Sequence, residues 1–131
     1  MSYRVNRKHY ENVLKLKAPE RYSYFVKRVA DWHQIWALQC GVNWATSTDD
    51  SGRVLFPVWP HPIFAEMCAH EQWTDCKPKE IDLKEWLKEW APDLMREGRL
   101  VAVFPLPDGV SVPIDPSRLI DDLQAELSKI E

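Results

Sequence analysis

The run LVAVFPLP at residues 100–107 constrains this chain more than any other stretch. It is apolar at consecutive positions, so it cannot keep one wet and one dry face as a strand on a half-exposed sheet does. Such a strand is buried on both faces, and the chain must supply cover on each side. Asp108 and Gly109 then make a turn, and VSVPID reads as the hairpin partner of the run.

Further strands come from the middle of the chain. WHQIWALQC (32–40), VNWATST (42–48) and RVLFPVW (53–59) are rich in aromatic and β-branched residues. DDSG at 49–52 is a turn sequence in which Gly52 can take positive φ. This predicts a hairpin of 42–48 with 53–59, and pairing of 32–40 on its other side as a meander.

The cover is helical. From 6 to 16 the pattern places Tyr10, Val13 and Leu14 on one face, with Asn6 as N-cap and Val5 and Tyr10 at staple positions. Pro19 opens a second helix carrying Tyr22, Phe25, Val26 and Val29, which ends near Asp31. Pro60 stops the last middle strand, and Pro62 starts a helix with Ile63, Phe64, Met67 and Cys68 as its apolar stripe. Residues 71–79, with Pro78 inside, read as a loop. IDLKEW is a strong helix start: Asp82 and Glu85 form a capping box, with Ile81 and Trp86 as staple. Leu83, Trp86, Leu87 and Trp90 face inward. Pro92 kinks this helix or begins a new turn, and Gly98 sits where a C-terminal glycine belongs. Asp115 and Pro116 start a last helix buried through Leu119, Ile120, Leu123 and Leu127.

With 131 residues the chain is expected to form one domain, 1–131, large enough to bury about two-thirds of its unfolded surface. There is no βαβ alternation, glycine-rich phosphate loop or internal repeat. The fold class is α+β: about five strands, antiparallel or mixed, with helices packed on them, two at the N-terminus and one at the C-terminus.

Partners and compartment follow from composition. No apolar stretch approaches the roughly 20 residues that cross a bilayer, so no membrane partner is expected. The opening MSYRVNRKHYENVLKLK lacks the apolar region of a secretory signal. Cys40, Cys68 and Cys76 are odd in number and without paired spacing, which predicts free thiols, a reducing compartment and a cytoplasmic protein. Lys and Arg dominate the opening helices, against Glu11 and Glu20, while the tail carries Asp115, Asp121, Asp122, Glu126 and Glu131. Net charge is −3 and no nucleic-acid motif accompanies the basic segment, so it reads as a solvated helix face.

Several constellations could carry chemistry. His61, Cys68, His70 and Cys76 are zinc-ligand types, but their spacing fits no finger or ribbon. On a helix, residues 68 and 70 point about 200° apart. Cys68 belongs to the apolar stripe, so no metal and no cofactor is expected. Cys76, flanked by Lys77 and Lys79, is the best placed thiol for a nucleophile, yet no base or small-residue elbow accompanies it. The paired acids Asp49 with Asp50 and Asp121 with Asp122 fit a turn and an outer helix face. No catalytic residue emerges.

Seven tryptophans remain to be explained. Most belong to a core, but Trp32, Trp59 and Trp73 fall at element ends or in a loop, where aromatics often serve a binding surface. The expected binding residues are Trp32, Trp59, His61, Trp73, Arg53 and Glu66. They are expected in a groove lined by tryptophan, Tyr22 or Tyr24 and arginine, with Arg53 and Arg99 supplying charge.

The blocks RYSYFVKRVADWHQIWAL, GRVLFPVWPHPIFAEMCA and IDLKEWLKEWAPDLMREGRLVAVFPLP, with the closing proline–acidic helix, resemble the bacterial family known as domain of unknown function 2750. The resemblance covers essentially the whole chain, and FPVWPHPxFA and LVAVFP are its more specific blocks. It implies a small stand-alone bacterial cytoplasmic protein and brings no activity, cofactor or catalytic residue. The element order also resembles, more loosely, the N-terminal domain of the serine-sensitivity enhancer protein, which implies the same α+β architecture.

The function expected is that of a non-enzymatic protein-binding module, of adaptor or immunity type, whose partner is another protein or a second copy of the chain. The alternative is a small enzyme or ligand-binding domain with a pocket at the VWPHP strand–helix junction, 58–62, using His61 with Glu66 or Cys76.

Overall fold

The computed structural model describes residues 7–130, and the expected Asn6 cap and Val5 staple lie outside them. Helix α1 (Arg7–Leu14) and helix α2 (Ala18–Trp32) open the fold. Strands β1 (Gln34–Cys40), β2 (Asn43–Trp44), β3 (Ser47–Thr48) and β4 (Val54–Val58) follow. Next come α3 (Pro62–Met67), a 3-10 turn (Glu71–Trp73) and β5 (Lys77–Asp82). A helical stretch runs through α4 (Leu83–Glu85), a π-turn (Trp86–Trp90) and α5 (Ala91–Arg96). Strands β6 (Leu100–Val103) and β7 (Val112–Ile114) and helix α6 (Pro116–Ile130) complete the α+β domain.

The strands form two sheets where the sequence predicted one. Their orders are β2-β1-β5 and β3-β4-β6-β7. The difference arises at 42–48, which is not one strand. Its first part pairs with β1, through Gln39 opposite Trp44, and its second with β4, through Ser47 opposite Leu55. The expected turn at 49–52 does form: the Asp49 carboxylate accepts the Ser51 and Arg53 amides, and Gly52 takes φ of 88°. A two-way bridge between Trp36 and Trp59 (N···O 3.0 and 2.8 Å) splices the sheets together.

The strand at 100–107 behaves as its composition requires. β6 lies between β4, parallel to it, and β7, antiparallel. Val101, Ala102 and Val103 are all buried, so both faces are covered. Its neighbour β4 carries Pro57, which an interior strand seldom tolerates. β3 pairs only with Val54 and Leu55, so Pro57 has no ladder partner on that side.

Two expectations are corrected here. Residues 77–79 are not loop: β5 runs antiparallel along β1, with Pro78 opposite Leu38. β5 is the sheet's edge, where a residue without an N–H leaves no partner unfilled. Nor are the cysteines all free. Cys40 and Cys76 extend the β1–β5 ladder by one pair beyond Gln39 and Lys77 and form a disulfide, leaving Cys68 as the free thiol. The two are 36 residues apart in sequence, so only the strand register brings them together.

The N-cap half of the expected Asp82–Glu85 capping box forms, as do the expected Asp115 cap and the Gly98 helix end. Asp82 accepts the Lys84 and Glu85 amides, and Asp115 accepts the Ser117 amide at 2.9 Å. Gly98 at φ 69° closes α5, with the Arg99 amide returning to the Leu94 carbonyl at 2.9 Å. Pro92 has a local consequence. It lacks the N–H that would bond Lys88, and its ring crowds that carbonyl. The preceding turn widens, and the Ala91 amide reaches back to Trp86. Helix α6 packs on α2 and α5. Tyr22 on α2 donates its hydroxyl to Asp122 on α6 at 2.5 Å.

Candidate functional site: an aromatic groove beside the widened helical turn

A groove of about 440 Å3 opens where the segment after β1 crosses toward β4. Val42, Trp44, Phe56, Trp90, Leu94 and Arg99 line it. Trp44 is delivered by β2, Phe56 by β4, and Trp90 by the last position of the π-turn. Trp44 meets Trp90 edge to face, with centroids 4.8 Å apart at 84°. Phe56 lies 5.4 Å from Trp90, and the buried Trp86 lies nearly parallel to it at 6.4 Å and 10°. Pairs of this geometry contribute about 0.5–1.5 kcal/mol each beyond their burial, so the cluster is a firm base.

Trp44 and Trp90 remain half-buried, and Val42 at the rim is 91% exposed. On the rim Arg99 pairs with Glu97 at 3.5 Å, and Arg96 pairs with Asp93. The groove is therefore apolar at its centre and balanced in charge at its edge.

The residues predicted from sequence are dispersed. Trp32 stands at the end of α2, 41% exposed. Arg53 is exposed where the β3–β4 turn enters β4, and Glu66 is exposed on α3. Trp59 is wholly buried and donates its indole N–H to the Pro105 carbonyl at 3.0 Å. Trp73 packs edge-on against Trp59 at 6.2 Å and donates to the Thr46 carbonyl at 3.3 Å. Trp59 and Trp73 thus meet, but Trp59 meets its partner in the interior rather than on a surface. The 58–62 junction is closed, since Val58, Trp59, Pro60 and His61 are all buried.

His61 is the buried member of a partly buried polar chain. The Tyr24 hydroxyl stands between His9 Nε2 at 2.9 Å and His61 Nε2 at 3.0 Å. Its one hydrogen goes to one imidazole, and the other imidazole donates to its oxygen. Arg28 lies over the Tyr24 ring, 5.2 Å from its centre. Burial pushes the His61 pKa down to about 4, helped by the charges of Arg28 and His9. His61 is therefore a neutral core histidine near pH 7.

The cysteines are also accounted for. The Cys68 thiol donates to the Pro105 carbonyl at 3.4 Å, and burial pushes its pKa up to about 11, which makes it unreactive. Cys76 is bonded to Cys40 and buried, so it is neither a metal ligand nor a nucleophile. His61, Cys68, His70 and Cys76 do not converge on one point, and no group of three His, Cys, Asp or Glu among the described residues is placed to hold a metal ion.

Of the groove residues, sequence reasoning named Arg99 as a source of charge but placed Trp44 and Trp90 in the core. The signal was in IDLKEWLKEWAP. There a proline follows the second tryptophan by two residues, and the turn that carries that tryptophan is a π-turn rather than a regular α-helical one.

The model of the family described as Protein of unknown function (DUF2750) matches residues 22–123, from within α2 to within α6 and across the whole groove. No curated protein and no solved structure matches the chain.

Proposed function

The chain belongs to the family described as Protein of unknown function (DUF2750), and from that premise, which brings no activity with it, we propose a non-enzymatic protein-binding module. Its groove takes an extended segment of a partner protein, with an apolar side chain seated against Trp44 and Trp90 and polar neighbours over Asp93, Glu97 and Arg99. The single observation behind this reading is the edge-to-face tryptophan pair left half-buried on the groove. Tryptophan and arginine are the residue types that dominate binding energy at protein interfaces. β2 adds support: it is the edge of its sheet, so its outer backbone groups can pair with an extended chain.

A displayed library of short peptides tests this. The protein is expected to select one apolar-centred motif. Val42→Asp puts a charge at an exposed apolar position of the groove without touching the core, and should weaken the selected peptide about tenfold or more. No motif above background, or a motif bound equally by Val42→Asp, rejects the reading.

The cytoplasmic location belongs to the same proposal, with one condition. In a reducing compartment Cys40 and Cys76 would be held as thiols, whereas the bond persists in an oxidising one. The thiol state of the protein in its own cell decides between them.

A further inference from the structure

A second cleft, of about 230 Å3, lies apart from the tryptophan groove. β4 and β6 are the one parallel pair among the described strands. The cleft is built from the chain that leaves their carboxyl ends: residues 68–73 beyond β4 and α3, and residues 105–109 beyond β6. In open, mostly parallel α/β sheets ligands bind outside the carboxyl ends of the strands, and this cleft takes the same position on a mixed sheet with one parallel pair. A cleft of this volume has room for a small molecule and not for a peptide.

The lining sets the class of ligand. Its carboxylates are those of Glu71 and Asp108, His70 is the one basic residue in the lining, and no lysine or arginine is among them. Ser47 and Ser111 add hydroxyls, and Trp73 adds an aromatic wall. Asp108 uses one oxygen, Oδ1, to accept the Val110 amide at 2.9 Å. Glu71 is held in the left-handed region at φ 54°, and its carbonyl accepts both the amide and the hydroxyl of Thr74, at 3.2 and 2.7 Å. The floor is dry: Cys68 and Pro105 are buried and bonded to one another. The buried Arg21 feels Asp108 and donates through Nε to the Phe104 carbonyl and through Nη1 to the Leu16 carbonyl, both at 3.2 Å, while its Nη2 has no partner among the described residues. Two carboxylates beside an indole favour a positive charge and repel a negative one.

We propose that this cleft binds a small organic cation, an amine or guanidinium compound, between Glu71 and Asp108 with Trp73 as its aromatic wall. The site is separate from the groove above and stands whether or not the groove binds a partner.

The test is a titration of the whole protein with methylguanidinium chloride, followed by amide and indole NMR resonances, with sodium acetate at matched ionic strength as control. Saturable shifts at Gln72, Gly109 and the Trp73 indole are expected in the region of about 1 mM, with the Trp90 indole unmoved. The pair Glu71→Gln with Asp108→Asn keeps the side-chain shapes, and Asn retains the oxygen that accepts from Val110. It should weaken binding about tenfold or more, and Glu71→Gln alone serves if the pair fails to fold. Three outcomes overturn the site: no saturable shift at these resonances, equal binding to the charge-neutral variant, or an equal response to acetate.

Discussion

His61 shows how burial turns a suspected functional residue into a structural one. Folded, it takes a proton only near pH 4, whereas in the unfolded chain it does so near 6.5. Between those values the unfolded state binds the extra proton, so stability is lost as pH falls and is fully present above about 6.5. The loss by pH 4 is expected to reach about 2–3 kcal/mol. Most carboxylates titrate at the bottom of that window, so the slope between pH 5 and 6.5 belongs largely to the histidine. Thermal midpoints across that range should fall with pH, and His61→Gln should flatten the slope; an unchanged slope would place the titrating group elsewhere. His61 looked functional because it sits between two prolines in VWPHP, a setting that gives no hint of Tyr24, 37 residues away.

At the scale of elements, local signals were legible wherever one residue fixes a backbone group. Asp82, Asp115 and Gly98 end or begin helices through bonds within a few residues of themselves. Asp82→Ala should cost about 1 kcal/mol, seen as a lower denaturant midpoint at constant slope. Pro92 is more consequential. Pro92→Ala restores the missing N–H and lets the turn close toward a regular helix. It should shift the Trp90 indole resonance and weaken the peptide selected by the groove, while the thermal midpoint moves by no more than about 4 °C. An unmoved Trp90 resonance would mean that packing against Phe56 and Trp86, not the proline, sets the wide turn. Strands were less legible than helices. The segment 42–48 has uniform strand composition, yet it divides between two sheets, its first part pairing with β1 and its second with β4.

The molecule as a whole is closed by the disulfide from β1 to the start of β5. Joining residues 36 apart removes freedom from the unfolded chain, an effect of about 3–4 kcal/mol. Cys40→Ser with Cys76→Ser should lower the thermal midpoint by about 10–15 °C, and wild-type protein in strong reductant should fall to match it. Under denaturing conditions without reductant, alkylation should label Cys68 alone. Labelling of all three cysteines would show that the bond does not form in the protein as purified. The bonded Cys76 closes the stretch that begins at Cys68 and carries the lining residues His70, Glu71 and Trp73. Its loss should therefore broaden the resonances of that cleft before those of the Trp90 groove.

What the sequence determined by itself was whatever short-range chemistry dictates. The apolar run at 100–107 required a doubly covered strand. The capping residues fixed three helix ends, and the turn at 49–52 joined two strands. Those effects act over one turn or one ladder step, so the residues that cause them lie beside their consequences. The tertiary structure alone decided which faces met. It paired Cys40 with Cys76, made Pro78 an edge residue, buried Trp59 and His61, and left Trp44 and Trp90 half-exposed together. Each of these depends on strand register and on packing between distant segments, and neither is encoded in the composition or spacing of any single stretch.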